Sequence, residues 1–426
     1  MNILLVQPYE DYKFIYQKLY EQILKIINKH NVDLVVFPEA FIEVKDNKEA
    51  RDIVEDIADF LYKPVLCGMS YADGTERALY FNCTPSDGET SDSIFIKHST
   101  AKRVAFDLGI QELEDLKVYN PILLNGQRIQ TYICHDMFFP LITERLEEEE
   151  IDILINLTGG NVKMSKWCNV LKGRSIELDS FVLCTMANRK GEKQPSDRIA
   201  FHGGEKLTAN FKQGSGLRSH AFSIFSTTQP IQEIEADETI YSDKQYQQFT
   251  VGFDETSDCT IDREEMGVYS RLPIAEEYEG SLCVVKDKET IHVHIADYEE
   301  IFERTYLYNE PRSEGEHHII IYLTDKPINE KEAIAMLKLR VIENRIGCIV
   351  VGKEYLIGAK TNRYKDVQLF KSTDNKIGFE LQFMQGIDSI FQKSVSTTQG
   401  IPLNFKEDYL ALGAKKHDRG SLAYLK

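Results

Sequence analysis

The sequence predicts an α/β protein of two domains, and three observations carry that prediction. Short apolar, β-branched runs such as Ile3–Val6, Leu34–Phe37, Ile129–Ile133 and Phe181–Ala187 alternate with segments of helical period. The chain opens strand–helix–strand, an order that favours a right-handed crossover and parallel or mixed pairing. Its 426 residues exceed one ordinary domain, and the composition turns polar near Asp254–Ile261.

Taken in order, Asn2–Gln7 reads as a first strand. Ile15, Leu19, Ile23, Ile26 and Ile27 lie at helical spacing and predict a helix over 12–30, followed by the strand 34–37. A second helix over 48–61 leads to the strand 64–69. Residues 78–83 and 94–97 then form a hairpin about the Pro85–Gly88 turn. After an irregular stretch comes the strand 129–133. Pro140, with Leu141, Ile142 and Leu146, reads as the start of a helix, because proline suits a first helical turn. The strand 151–156, a helix over 165–178 and the strand 181–187 follow. Residues 189–219 read as long loops around two short elements, and the strands 221–226 and 249–253 finish the sheet of a first domain, 1–255. In the second domain, 262–426, strands are expected at 317–324, 347–352, 355–359, 367–370 and 378–383. Asn329 and Glu332 there form a capping box before a helix that ends at Gly347. Neither an internal repeat nor a low-complexity tract is visible.

Composition narrows the functional classes. Hydrophobic residues at 42% and charged residues at 28% suit a globular protein with a large core. Lys and Arg total 50 against 68 Asp and Glu, a net charge of −18, which disfavours nucleic acid or an anionic membrane as partner because phosphate binding relies on basic surface. The N-terminus lacks the pattern of a secretory signal, and no apolar run has membrane-spanning length. The eight cysteines show no CxxC spacing, and Cys67, Cys184, Cys283 and Cys348 lie in apolar runs, as reduced core residues do. A cytoplasmic protein is expected.

Three strand ends carry chemistry. The run 33–37 ends in Pro38–Glu39, the run 93–96 ends in Lys97, and the run 129–133 ends in Cys134. In open α/β sheets reacting groups gather at the carboxyl ends of strands, so an acid, an amine and a thiol delivered there suggest one site. A break from strand toward helix can lift Cys134 out of the sheet as a nucleophile elbow, and a nearby lysine favours its thiolate. Singly, each residue has a plainer reading: a core cysteine, a solvated lysine, a loop acid.

At these residues the chain resembles the nitrilase (carbon–nitrogen hydrolase) superfamily. The matching words are FPEA at 37–40, FIKH at 95–98 and ICHDMFFP at 133–140, with the opening MNILLVQP, VLCGMSY at 65–71, and Trp167…Arg174–Ser175–Ile176–Glu177 followed by Asn188. The resemblance spans roughly the first 250 residues and implies a four-layer α-β-β-α sandwich, a smaller α/β domain following it unrecognised. It implies a Glu39–Lys97–Cys134 triad, and a second glutamate after the lysine, for which Glu112 is the nearer choice and Glu114 the alternative. It also implies a homodimer or higher homo-oligomer.

The triad suits hydrolysis of an amide, carbamoyl or ureido bond through a thioacyl intermediate: Cys134 attacks, Glu39 is general base and Lys97 faces the oxyanion. Asn156 and Thr158 follow a strand end and are expected to line the pocket of a small-molecule substrate. His135 is expected to point away from Cys134, since neighbours on an extended chain face opposite sides; His98, His202 and His220 have no supporting pattern. His292, His294, His317 and His318 lack the Cys/Asp/Glu spacing of a zinc site, so no metal is expected. No phosphate-binding loop is present and no cofactor is expected. The competing reading is a catalytically silent sensor or scaffold that binds an amide-like ligand and signals through the C-terminal domain.

Overall fold

The structure, a computed structural model, describes residues 1–9, 16–97, 120–138, 150–159, 164–187, 197–214, 219–228, 249–278, 280–303, 315–344, 346–361, 367–371 and 376–379. The chain divides into two compact units, one comprising 1–235 with 394–401 and 413–426, the other 236–393 with 402–412.

Among the described residues of the first unit, one sheet has eight strands. Its central strand β1 (Asn2–Gln7) is parallel to β2 (Leu34–Val36) and antiparallel to the late strand Ala221–Ser226. Ile3, Leu4, Leu5 and Val6 are wholly buried, as expected of a strand covered on both faces. Helix α1 (Tyr16–Ile27) buries Leu19, Ile23 and Ile26. After β3 (Ile42–Val44), helix α2 (Asn47–Leu61) starts at Asp46, whose carboxylate accepts from the N–H groups of Lys48 and Glu49, both at 2.9 Å. It ends at Tyr62 in a left-handed cap, φ 53°. Both helices pack their apolar stripes against this sheet, together with Val35, Phe37, Val65 and Cys67. β4 (Val65–Tyr71), β5 (Glu76–Phe81) and β6 (Asp92–Ile96) complete that side as an antiparallel meander, with Arg77 opposite Ile96.

The second sheet begins with the hairpin β7 (Ile122–Leu124) and β8 (Gln127–Ile133), turning at Asn125–Gly126, both at positive φ. It continues through β9 (Ile153–Thr158), β10 (Phe181–Met186), β11 (Ile199–His202) and β12 (Glu205–Lys206). β8, β9 and β10 are parallel, and helix α3 (Met164–Glu177) connects the last two. β13 (Phe211–Gln213) and β14 (Ala221–Ser226) return the chain to the first sheet. The Thr185 hydroxyl donates to the Val6 carbonyl at 2.7 Å, tying the two sheets face to face. The unit is thus the four-layer sandwich that the resemblance implied.

In the second unit β15 (Phe249–Gly252), β16 (Cys259–Ile261), β17 (Val268–Ser270) and β25 (Lys376–Phe379) form one sheet. The other has seven strands: β18 (Ile274–Tyr278), β19 (Ser281–Lys286), β20 (Glu289–Asp297), β21 (Glu316–Leu323), β22 (Gly347–Gly352), β23 (Tyr355–Thr361) and β24 (Val367–Lys371). Helix α4 (Glu330–Asn344) lies between β21 and β22, and Phe249, Val251, Ile291, Val293, Ile319 and Ile349 share a core drawn from both sheets. Two expectations are corrected. Phe249–Gly252 pairs with β16 and β25, not with the first unit's sheet, because its apolar face completes the second core. The units divide between Glu235 and Ala236, ahead of the polar stretch at 254–261, which forms turns inside the second unit. Among the described residues no helix is long and apolar enough to cross a membrane.

Candidate active site

Glu39 stands three residues past the end of β2, and β4 clasps the segment on both sides: Phe37 N–H donates to Leu66 O at 2.8 Å and Phe41 N–H to Gly68 O at 2.9 Å. The approach is so close that a Cβ on Gly68 would lie 2.4 Å from Pro38 O and 2.6 Å from the Glu39 Cα. Ala40, next in line, adopts φ 53° and turns the chain away. We expect Gly68→Ala to shift the backbone of Pro38–Glu39, destabilise by about 1–3 kcal/mol and lower any Glu39-dependent activity; thermal denaturation beside a rate assay checks this, and an unchanged melting temperature contradicts the close fit.

Lys97 follows β6, with its backbone N–H on Glu76 O at 2.9 Å. Its ammonium lies 2.6 Å from Glu39 Oε1 and also donates to the Glu76 carboxylate. The Lys97 and Glu39 side chains are almost fully buried while Glu76 is 26% exposed, so one buried cation sits between a buried and a solvent-reaching carboxylate. The other oxygen of Glu39 accepts the Gly159 N–H at 2.5 Å. Burial pushes Glu39 well above the ordinary carboxylate range; charge on Cys134 and on Glu76 adds to this, and Lys97 opposes it. Glu76 was not singled out from the sequence. It opens a strand instead of closing one, and only the antiparallel pairing of β5 and β6 brings it beside Lys97.

Cys134 breaks the end of β8 at φ 53° and starts a single 3-10 turn, Cys134–Phe138. Pro140 and the helix expected after it lie outside the described residues, as do Glu112, Glu114, His98 and Asn188. The left-handed residue changes the expectation for His135. The chain there is not extended, so the two side chains do not alternate, and His135 Nδ1 sits 3.3 Å from Cys134 Sγ. His135 is held edge-on to Trp167, with ring centroids 5.4 Å apart, and both are buried.

The end of β9 joins thiol to carboxylate. The Thr158 hydroxyl reaches Cys134 Sγ at 3.4 Å, and the next residue, Gly159, donates to Glu39. Asn156 is turned into the elbow itself. Its amide donates to Cys134 O at 3.2 Å and Tyr132 O at 3.3 Å, and its oxygen accepts from Trp167 Nε1 at 3.1 Å and from Cys184 Sγ at 3.3 Å. Asn156 therefore pins the carbonyl of the strained residue. From α3, Arg174 Nε donates to Met137 O at 3.2 Å while its Nη1 pairs with Glu177 at 2.5 Å, both side chains without exposure. Arg174→Met leaves the Glu177 charge buried and alone, and we expect a loss of about 3–5 kcal/mol, read as the shift of a denaturation midpoint; a loss below 1 kcal/mol contradicts the pair's structural weight.

Histidines elsewhere stack on one another. His292 and His318 lie 4.6 Å apart by centroid, and His294 Nε2 is 3.0 Å from His318 Nδ1. His317 Nε2 lies 3.0 Å from Glu289. Among the described residues no group of three or more His, Cys, Asp or Glu side chains is placed to hold a metal ion.

No family model matches the chain, and no curated protein matches it. Solved structures do. Nit3 of Saccharomyces cerevisiae, a member of branch 10 of the nitrilase superfamily, aligns at 14% identity over 53% of this chain and 89% of its own, with a TM-score of 0.39. A carbon–nitrogen hydrolase from Helicobacter pylori aligns at 15% identity over 54% and 90%, TM-score 0.37. An amidase from Nesterenkonia sp. aligns at 12% identity over 53% and 90%, TM-score 0.38. About half of this chain is thus similar in structure to solved members of the nitrilase superfamily, and its C-terminal part is unmatched.

Proposed function

We propose that this chain hydrolyses a carbon–nitrogen bond other than a peptide bond, in a small amide, carbamoyl or ureido substrate, through a thioacyl enzyme on Cys134. One observation carries the reading: Glu39 holds the Lys97 ammonium on one oxygen and the Gly159 N–H on the other, while Thr158, the residue before Gly159, touches the thiol. A carboxylate of ordinary pKa is a poor base for a thiol near 8.5; the raised pKa of Glu39 narrows that gap.

The sequence of bonds follows. Glu39 takes the thiol proton as sulfur attacks the carbonyl carbon, and Lys97 donates to the oxygen that becomes anionic. Collapse breaks the C–N bond, and Glu39 returns its proton to the departing nitrogen. Water, deprotonated by the same carboxylate, attacks the thioester; the acid leaves and the thiol is restored. His135, in contact with Sγ, supports the thiolate before attack. Among the similar structures, the Nesterenkonia amidase carries the acetamide moiety of fluoroacetamide covalently at its active-site cysteine, which supports an amide as the class to try first.

The pH profile tests the assignment of Glu39. The base must be ionised, so kcat/KM rises with pH through its pKa, and the raised value puts this limb above the ordinary carboxylate range. Glu76 is one of the charges that raises Glu39, so Glu76→Gln moves the limb to lower pH. A limb that stays in place, or moves up, removes Glu76 from the site's electrostatics. Turnover of a panel of small amides, ureas and carbamoyl compounds tests the reading as a whole, and binding without turnover or adduct favours a sensor.

A further inference from the structure

The second unit repeats, strand for strand, the part of the first unit that carries the thiol. In the first, β7 to β12 lie in sequence order, with β8, β9 and β10 parallel and antiparallel neighbours on either side. In the second, β19 to β24 lie in the same order, with β20, β21 and β22 parallel and β19 and β23 antiparallel to them. Even the register agrees. Ile153 faces Phe181, and Ile319 faces Gly347, each 166 residues further along. The connecting helices start at Met164 and Glu330, the same interval apart.

One strand earlier, Ile133 faces Leu157 and Asp297 faces Leu323. The residue after that strand end is Cys134 in one unit and Tyr298 in the other, and each opens a 3-10 turn, Cys134–Phe138 and Tyr298–Ile301. The side-chain lock beneath the turn recurs too. Arg340 pairs with Glu343 at 2.5 Å and donates from Nε to Ile301 O at 2.9 Å, as Arg174 does with Glu177 and Met137 O. Met137 and Ile301 are each the third residue past the turn's first. All four charged side chains are fully buried. The two helices agree at five of seven positions here, Leu171–Lys172–x–Arg174–x–Ile176–Glu177 against Leu337–Lys338–x–Arg340–x–Ile342–Glu343.

The other sheet follows in reduced form. β15 is parallel to β16 and antiparallel to the unit's last strand β25, as β1 is to β2 and β14. Only residues 253–258 separate β15 from β16, where the first unit has room for a helix between β1 and β2. This shortening hides the repeat in the sequence, where none is visible.

We propose that the second unit is a contracted copy of the catalytic sandwich that has no thiol chemistry: Tyr298 stands in the nucleophile's place and Tyr322 in that of Asn156. Asp325, one residue past Thr324 as Gly159 is past Thr158, puts a carboxylate where the first unit offers an N–H to Glu39. Burial pushes the Tyr298 phenol up to about 12, so it keeps its proton at neutral pH. Each chain then carries one turnover site. The duplication stands on geometry alone, whereas the silence of its turn rests on the proposed hydrolase reading.

Two measurements on the full chain separate these parts. By hydrogen–deuterium exchange, Arg340→Met is expected to speed exchange of the amides at 298–303 at least tenfold, as Arg174→Met does at 134–138. Unchanged exchange at 298–303 overturns the equivalence of the two turns; should Arg340→Met fail to fold, Glu343→Gln is read in its place by the same criterion. With chloroacetamide as probe, rapid labelling is expected at Cys134 alone, one per chain, and Tyr298→Phe keeps both labelling and turnover within twofold. A tenfold loss in Tyr298→Phe, or turnover persisting in Cys134→Ala, overturns the silent copy. A wild-type chain that neither turns over amides nor labels at Cys134 sinks the hydrolase reading, while the exchange result still decides the duplication.

Discussion

Cys134→Ala is expected to lower kcat by roughly 10⁶-fold, the scale seen when the nucleophile is taken from groups that act as a unit. The loss is chemical and not a loss of fold. Cys134 already holds φ 53°, where alanine is strained to a similar degree, so the substitution adds no new backbone cost. What disappears is Sγ and its contacts with the Thr158 hydroxyl and the His135 ring. Asn156 still holds the carbonyl of residue 134 by its amide, and Arg174 still holds the turn at Met137 O. The variant should therefore keep its melting temperature within a few degrees and bind substrate with little change. Steady-state rates beside a thermal melt check both halves; a drop of only tenfold would move the nucleophile elsewhere.

Lys97→Met carries the second large effect. It removes the donor to the developing oxyanion, worth about 10²–10³ in kcat. It also strips Glu39 and Glu76 of the cation between them. Lys97 is the group that holds Glu39 down, so its loss drives the carboxyl further up and moves the acid limb of kcat/KM to higher pH. The direction is opposite to that of Glu76→Gln, which makes the pair diagnostic. A pH–rate series on the three proteins checks it. Equal limbs in wild type and Lys97→Met would contradict the coupling.

These effects follow from features of unequal visibility in the sequence. Glu39, Lys97 and Cys134 each close a run of buried strand residues, so the strand ends could be read from pattern before any coordinates. Their meeting depends on the two sheets packing face to face and on β9 ending between thiol and carboxylate at Thr158–Gly159. His135 was misplaced because the alternation rule holds only on extended backbone, and Cys134 is left-handed. Nothing in the local sequence announces that. Glu76 was invisible for a topological reason: it opens β5, 21 residues ahead of Lys97, and only the hairpin register sets them side by side. The strands of the second unit at 317–324 and 347–352 were legible as apolar runs. Their likeness to β9 and β10 was not, because it lies in pairing order and in a lock of four buried charges, with five matching residues in seven to betray it.

Whole-protein mass spectrometry during turnover of a small amide tests the central claim most directly. The account predicts one added acyl mass per chain, mapped to the peptide that contains Cys134 and absent from Cys134→Ala. Turnover with an unmodified Cys134 peptide, or an acyl group carried on any other residue, would contradict it.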